Sequence, residues 1–252
     1  MRYAILSDLH SNLEAFLAVL EKIERLKIDK TVCLGDIVGY NANPNEVVDI
    51  VRERSITSVM GNHDAVASGG KDASNFNDHA REAILWTEKI LTKKNKEFLS
   101  KLPASLLFDE KFLMVHGSIT KTDTYIRTTF DAGDNFSLLR KLYPLATPLL
   151  SFFGHTHQNI IYKETFDEDG TSRVLEVDDN SVKVEDRANY LINPGSVGQP
   201  RTTDKRACFA VFDTSSHKVE FIQVEYDTEK SAEKIIKAGL PLIFAKRLGW
   251  KG

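Results

Sequence analysis

The segment Tyr3-Ala4-Ile5-Leu6-Ser7-Asp8-Leu9-His10 runs from an apolar stretch into a carboxylate and an imidazole. A short apolar run bounded by polar residues has the length of a strand, not of a helix. The next stretch is helical. Leu13, Phe16, Leu17, Leu20 and Ile23 recur at helical spacing, and Ser11 with Glu14 has the spacing of a capping box. The pattern then repeats. Residues 31–34 form a second strand ending in Gly35-Asp36, and Asn43-Pro44 offers a cap and a first-turn proline for a helix to about residue 52. Residues 56–60 form a third, ending in Gly61-Asn62-His63-Asp64. Short strands joined by helices predict a parallel sheet with right-handed crossovers.

Residues 65–102 continue as a more polar helical stretch through Phe76, Ala80, Ile84, Leu85 and Leu91, which Pro103 stops. Residues 112–115 and 149–153 are further strands. Beyond residue 158 the texture turns to β, with strands at 159–162, 173–177, 190–192, 207–212 and 219–224, and a hairpin turn at Asp167-Glu168-Asp169-Gly170. Two short helices around Pro241 close the chain over 227–248. No linker or internal repeat interrupts it. The expectation is one α/β domain over residues 1–252, with a helical insert at about 65–102.

At 252 residues the chain can bury roughly 70–75% of its unfolded surface. Its 33 basic and 36 acidic residues leave a net charge of −3, with no Lys/Arg-rich stripe, so a nucleic-acid partner is disfavoured. Fourteen glycines and seven prolines exclude collagen-like and low-complexity chains. Cys33 and Cys208 lie in apolar runs and read as reduced core thiols, which points to a reducing, cytoplasmic compartment. No apolar run is long enough to span a membrane, and the first residues lack the apolar length of a signal peptide.

The chemistry sits at strand ends. Asp8 and His10, Asp36, Asn62 and His63, His116, and His155 with His157 each follow a predicted strand, where open α/β sheets place their ligand sites. In extended backbone, residues two apart point the same way, so Asp8 and His10, or His155 and His157, can address one site. Gly35, Gly61, Gly117 and Gly154 allow tight turns and close approach there. These groups exceed what one ion needs, and mixed imidazole and carboxylate suits Mn, Fe, Zn or Ni. The product is a two-metal site with a shared carboxylate and ions ~3.5–4 Å apart. His79 and His217 read as surface residues, and Cys33 as core.

In order and spacing, Asp8-x-His10, Gly35-Asp36, Gly61-Asn62-His63-Asp64, His116-Gly117 and Gly154-His155-x-His157 resemble the calcineurin-like metallophosphoesterase superfamily. The resemblance covers residues 3 to about 200. Asn193-Pro194-Gly195-Ser196-Val197-Gly198-Gln199-Pro200-Arg201 and Ala238-Gly239-Leu240-Pro241 are similar to its bacterial and archaeal phosphodiesterase-like branch, related to diadenosine tetraphosphatases. It implies an α/β/β/α sandwich of two mixed sheets flanked by helices. It also implies two divalent or transition metal ions, one held by Asp8, His10, Asp36 and His157, the other by Asp36, Asn62, His116 and His155. A metal-bridging hydroxide would attack phosphorus, and His63 would act as general acid.

One departure stands out. The protein serine/threonine phosphatases continue the Gly-Asp motif with a second Asp and an Arg, whereas Asp36 is followed by Ile37-Val38-Gly39-Tyr40. Asp64 is a candidate to orient His63. Arg201 or Arg127 is a candidate to hold phosphate, Asn77 to wall the cleft, and Tyr40 to offer an aromatic face to a nucleobase. Without the arginine a phosphodiester is expected to outcompete a dianionic monoester. The expected substrate is a small phosphodiester or nucleotide, the alternatives being a dinucleoside polyphosphate or a phosphomonoester. A nuclease conflicts with the charge, and a non-catalytic interaction scaffold conflicts with the complete set of ligands. A homo-oligomer is compatible with the sequence. Specificity is expected to reside in residues 65–102 and 118–147.

Overall fold

The computed structural model describes residues 1–144 and 148–252. In chain order its elements are β1 (Arg2–Leu6), α1 (Leu13–Arg25), β2 (Lys30–Cys33), α2 (Pro44–Glu53), β3 (Thr57–Ser58), α3 (Asn62–Ala67), α4 (Asp78–Ile90), α5 (Lys93–Ser100), β4 (Ser105–Phe108) and β5 (Phe112–Val115). Then come α6 (Thr129–Leu142), β6 (Leu150–Phe152), β7 (Asn159–Phe166), β8 (Ser172–Glu176), β9 (Ser181–Lys183), β10 (Asn189–Pro194), β11 (Ala207–Asp213), β12 (Lys218–Val224), α7 (Thr228–Lys237) and α8 (Leu242–Arg247).

The strands form two six-stranded sheets, in the orders β3-β2-β1-β11-β12-β9 and β4-β5-β6-β10-β7-β8. Both are mixed. β1 runs parallel to β2 and antiparallel to β11, while β6 runs parallel to β5 and β10, which pairs antiparallel with β7. The layering follows from side-chain alternation along each strand. On β1, Tyr3 and Ile5 face the inter-sheet core with Val32, Phe112, Phe152 and Phe212, while Ala4 and Leu6 face α1 and α2 with Phe16, Val47 and Phe209. On β5, Phe112 and Met114 face the same core, while Leu113 and Val115 pack on Phe136 and Leu139 of α6. The result is the α/β/β/α sandwich.

Several local expectations are corrected. The cap of α1 is Asn12, whose Oδ1 accepts from Ala15 N at 3.1 Å. Ser11 is drawn into a left-handed turn (φ 56°), and its hydroxyl accepts from Gly39 N instead. The stretch 65–102 is not one helix. Residues 68–77 lie between α3 and α4, and Thr92 starts a new helix by capping Asn95 N. Strands β4 and β9 and helix α6 were not expected. Each is short or carries weak apolar periodicity, and Phe130 at the start of α6 is 76% exposed. The last residues of the 118–147 stretch, 145–147, lie outside the described residues. Both cysteines are buried and unpaired. No described helix is long and apolar enough to cross a membrane.

Phe152 is fully buried between the sheets, edge-on to Phe112 at 5.2 Å. Phe152→Ala is expected to cost about 3–5 kcal/mol of unfolding free energy. Urea denaturation would show this as a lowered midpoint with an unchanged slope.

Candidate metal centre

The loops after β1 and β2 are laced together. Asp8 N donates to Gly35 O at 3.1 Å, His10 N to Asp36 O at 2.9 Å and Ser11 N to Ile37 O at 3.0 Å. To make these bonds the chain turns left-handed at ordinary residues, with φ of 55° at Asp8, 45° at His10 and 51° at Asp36, and the loop after β6 does the same at His155 (67°) and His157 (62°). Each such residue costs of order 1–3 kcal/mol and persists only where its surroundings over-determine it. Left-handed turns, not the extended alternation expected, therefore bring these side chains together. Close approach explains Gly154, where an added Cβ would meet Ser7 Oγ at 2.0 Å. A third loop closes over both: Asn193 Nδ2 donates to Gly154 O and Thr156 Oγ1, while Ser196 Oγ and Gly198 N donate to Asp8 O.

Three histidines are held the same way. His10 Nδ1 lies 3.0 Å from Val38 O, His116 Nδ1 2.8 Å from Leu34 O, and His157 Nδ1 2.6 Å from Gln199 O. A carbonyl only accepts, so the proton is assigned to Nδ1 and the Nε2 lone pair is left free. Those lone pairs converge. His10 Nε2 and His157 Nε2 stand 3.1 Å apart, with Asp8 Oδ1 3.7 and 3.3 Å from them. Asp36 Oδ2 lies 3.7 Å from His10 Nε2 and 3.2 Å from His116 Nε2, while Asp36 Oδ1 accepts from His63 N. Ligand-capable atoms form three overlapping groups: Asp8-His10-His157, His10-Asp36-His63 and Asp36-His116-His155. His155 and His157 thus address different groups, not one together.

Burial sets the electrostatics. It pushes His10 and His157 well below the ordinary imidazole range, His155 to about 3 and His63 to about 4. His116 is the exception. Burial works against its charged form, but the Asp36 carboxylate overrides it and raises the group to about 9. Burial likewise opposes ionisation of Asp36, yet His116 and its neighbouring histidines hold it well below the usual carboxylate range. Among the described residues, Asp8 Oδ1, Asn62 Oδ1, His116 Nε2 and His155 Nε2 are buried with no hydrogen-bond partner. Neutral imidazoles and carboxylate oxygens with unused lone pairs, together with His116, whose second proton a bound cation would displace, are a donor set that fits divalent metal ions.

The groups open into a cleft of about 410 Å³, lined in part by Tyr40, His63, Phe76, Tyr125, His155 and Arg201. Asp64 does not orient His63. Its oxygens accept from Val38 N and Gly61 N, capping α3, and His63 Nδ1 is buried without a partner. Tyr40 lines the cleft, with its ring packed between His10, His63 and Phe244 at 4.5–4.8 Å. Arg201 lines the cleft with a buried, unpartnered Nε, whereas Arg127 stacks its guanidinium over Tyr125 at 3.8 Å. Asn77 lines the cleft while its Oδ1 caps α4. Tyr125, stacked on His155 at 4.0 Å, has no counterpart among the residues expected at the site, and Phe76, edge-on to His63 at 4.7 Å, is expected from the sequence only as part of the helical apolar pattern. Neither lies in a motif, and an aromatic near a histidine motif would have been the only signal. His79 and His217 are exposed.

Residues 1–217 match the calcineurin-like phosphoesterase superfamily domain. A protein of Methanocaldococcus jannaschii, described as uncharacterized, is 37% identical over 257 residues, covering 97% of this chain and 96% of its own. A crystal structure of a metallophosphoesterase from Sphaerobacter thermophilus aligns with a TM-score of 0.79 at 36% identity over 98% of both chains. A hypothetical protein from Pyrococcus horikoshii shares the fold, with a TM-score of 0.78 at 23% identity over 100% of this chain and 98% of its own. With a metal-capable centre at the strand ends of its two sheets, this chain belongs to the calcineurin-like phosphoesterase superfamily and is a metal-dependent hydrolase of phosphoric esters.

Proposed function

We propose that the cleft hydrolyses a small phosphoester of the nucleotide or phosphodiester class at a dinuclear centre, within a single domain spanning residues 1–252. Asp8, His10, Asp36 and His157 would hold one ion, and Asp36, Asn62, His116 and His155 the other, with Asp36 shared. The observation that carries this reading is the set of buried, unpartnered ligand atoms on both sides of Asp36. Divalent ions bound there would supply Lewis acidity, neutralising phosphoryl charge and lowering the pKa of a coordinated water.

The chain's own residues supply the rest. The Leu34, Val38 and Gln199 carbonyls fix the ring orientation of His116, His10 and His157, as carbonyls behind ligating histidines generally do. His63 faces the cleft; burial holds it neutral in the free protein, and in this reading the anionic phosphoester beside it favours the protonated form, which passes a proton to the departing alkoxide. Arg201 supplies, from a different loop, the guanidinium absent after Asp36, so a dianionic phosphomonoester is a second reading favoured by that one side chain. Lys71, Asn75, Phe76, Asp123 and Tyr125 line the cleft from the 65–102 and 118–147 stretches, which supports placing specificity there.

Manganese-reconstituted protein is expected to hold two ions per chain by elemental analysis, and Asp36→Asn to disturb both; one ion or fewer in the parent would overturn the dinuclear reading. His63→Ala is expected to slow hydrolysis about 10²–10⁴-fold for a poor leaving group and less for a nitrophenolate ester, with metal content unchanged. Arg201→Ala tests the phosphate contact. A monoester carries about one more negative charge than a diester, worth about 1–4 kcal/mol at ~4 Å from a cation. Its kcat/KM should therefore fall at least about fivefold further than that of the matching diester when p-nitrophenyl and bis-p-nitrophenyl phosphate are compared.

A further inference from the structure

Helix α8 lies beyond the part of the chain that matches the family domain, yet it reaches the centre at two points. Phe244 packs behind Tyr40 at 4.8 Å, and Tyr40 in turn packs on His10 and His63. Arg247 Nη1 donates to Gln199 Oε1 at 3.1 Å. Gln199 is the residue whose carbonyl takes the Nδ1 proton of His157. Its side chain is 1% exposed and its Nε2 has no partner, so among the described residues Arg247 makes its only side-chain hydrogen bond.

Placement along the loop gives that bond its importance. Upstream, residues 196–198 are pinned by Ser196 Oγ and Gly198 N on Asp8 O, and by Asn12 and Asn41 on Gly198 O. Downstream, Thr202 and Thr203 are exposed. Gln199 stands where the pinned part ends, held by its own N–H on Ser196 Oγ and by Arg247. The first bond fixes the start of the residue, and only the second restrains its side chain. A carbonyl that drifts lets the His157 ring rotate and takes its Nε2 lone pair off the His10 and Asp8 group.

We propose that Arg247 is a positioning residue for the metal centre, holding Gln199 so that His157 presents Nε2 to the ion shared with Asp8 and His10. This rests on the assignment of His157 as a ligand. The group that carries the effect comes from a helix outside the family domain.

The test uses full-length protein loaded with Co²⁺, read by its visible absorption spectrum and by equilibrium dialysis. Arg247→Met is expected to weaken the affected ion about tenfold and to change the cobalt spectrum, and Arg247→Lys to restore part of both. Lys234→Met, which removes the Glu14 contact between α7 and α1, serves as a control for loss of stability at the same end of the molecule. It should leave both readouts at the parent values. An unchanged spectrum and affinity in Arg247→Met, or the same change in Lys234→Met, would overturn the proposal. His157→Ala separates the two levels. If it alters cobalt binding while Arg247→Met does not, only the role of Arg247 falls. If it too leaves cobalt binding unchanged, the assignment of His157 falls and the role of Arg247 with it.

Discussion

Three backbone carbonyls, those of Leu34, Val38 and Gln199, decide what this molecule can do. Each takes an imidazole proton at Nδ1 and so turns the opposite nitrogen towards the buried centre. Acceptors that face one another and face carboxylates cannot satisfy each other. A buried group left unpaired costs roughly 1–3 kcal/mol, so the arrangement is unfavourable until a cation enters it. The chain thus holds, at some cost in folding stability, a set of lone pairs suited to a cation.

That arrangement is held in place by backbone rather than by side chains. The left-handed turns at Asp8, His10 and Asp36 are stabilised by loop-to-loop hydrogen bonds, and the loop at 193–199 clamps the β1 and β6 turns from above. Two sheets meeting at their strand ends provide the rigid floor. The inter-sheet aromatic core of Phe112, Phe152 and Phe212 lies beneath it, so the loops are anchored on well-packed strands.

The order of strands and helices in the first third was legible because apolar runs of strand length end in Asp, His and Gly. The two-sheet sandwich was not read from patterning at all; it came with the resemblance. Local periodicity carries no information about which strand pairs across a sequence gap as large as that between β1 and β11. At the site, the residues that converge are all visible as motif members, but left-handed backbone, not the extended alternation that their spacing predicts, brings them together. Supporting roles were least legible. Asp64 sits beside His63 in sequence and yet caps a helix, and Tyr40 stands in a loop and yet is core, because neither a hydrogen-bond partner nor a packing neighbour from α8 can be seen in the local string.

The pairing of β1 with β11 also has a kinetic meaning. Arg2 lies opposite Asp213 and Ile5 opposite Ala210, so the central strand of the first sheet keeps one edge unpaired until the last fifth of the chain is available. Contacts of such long sequence separation form late and slow a fold. During vectorial synthesis the N-terminal βαβ segment would emerge with a naked, apolar strand edge of the kind that recruits other chains. The segments from β10 to β11 both cover that edge and supply the clamp over the β1 turn. Closure of the sheet and placement of the clamp over the β1 turn therefore depend on one stretch of chain, residues 189–213.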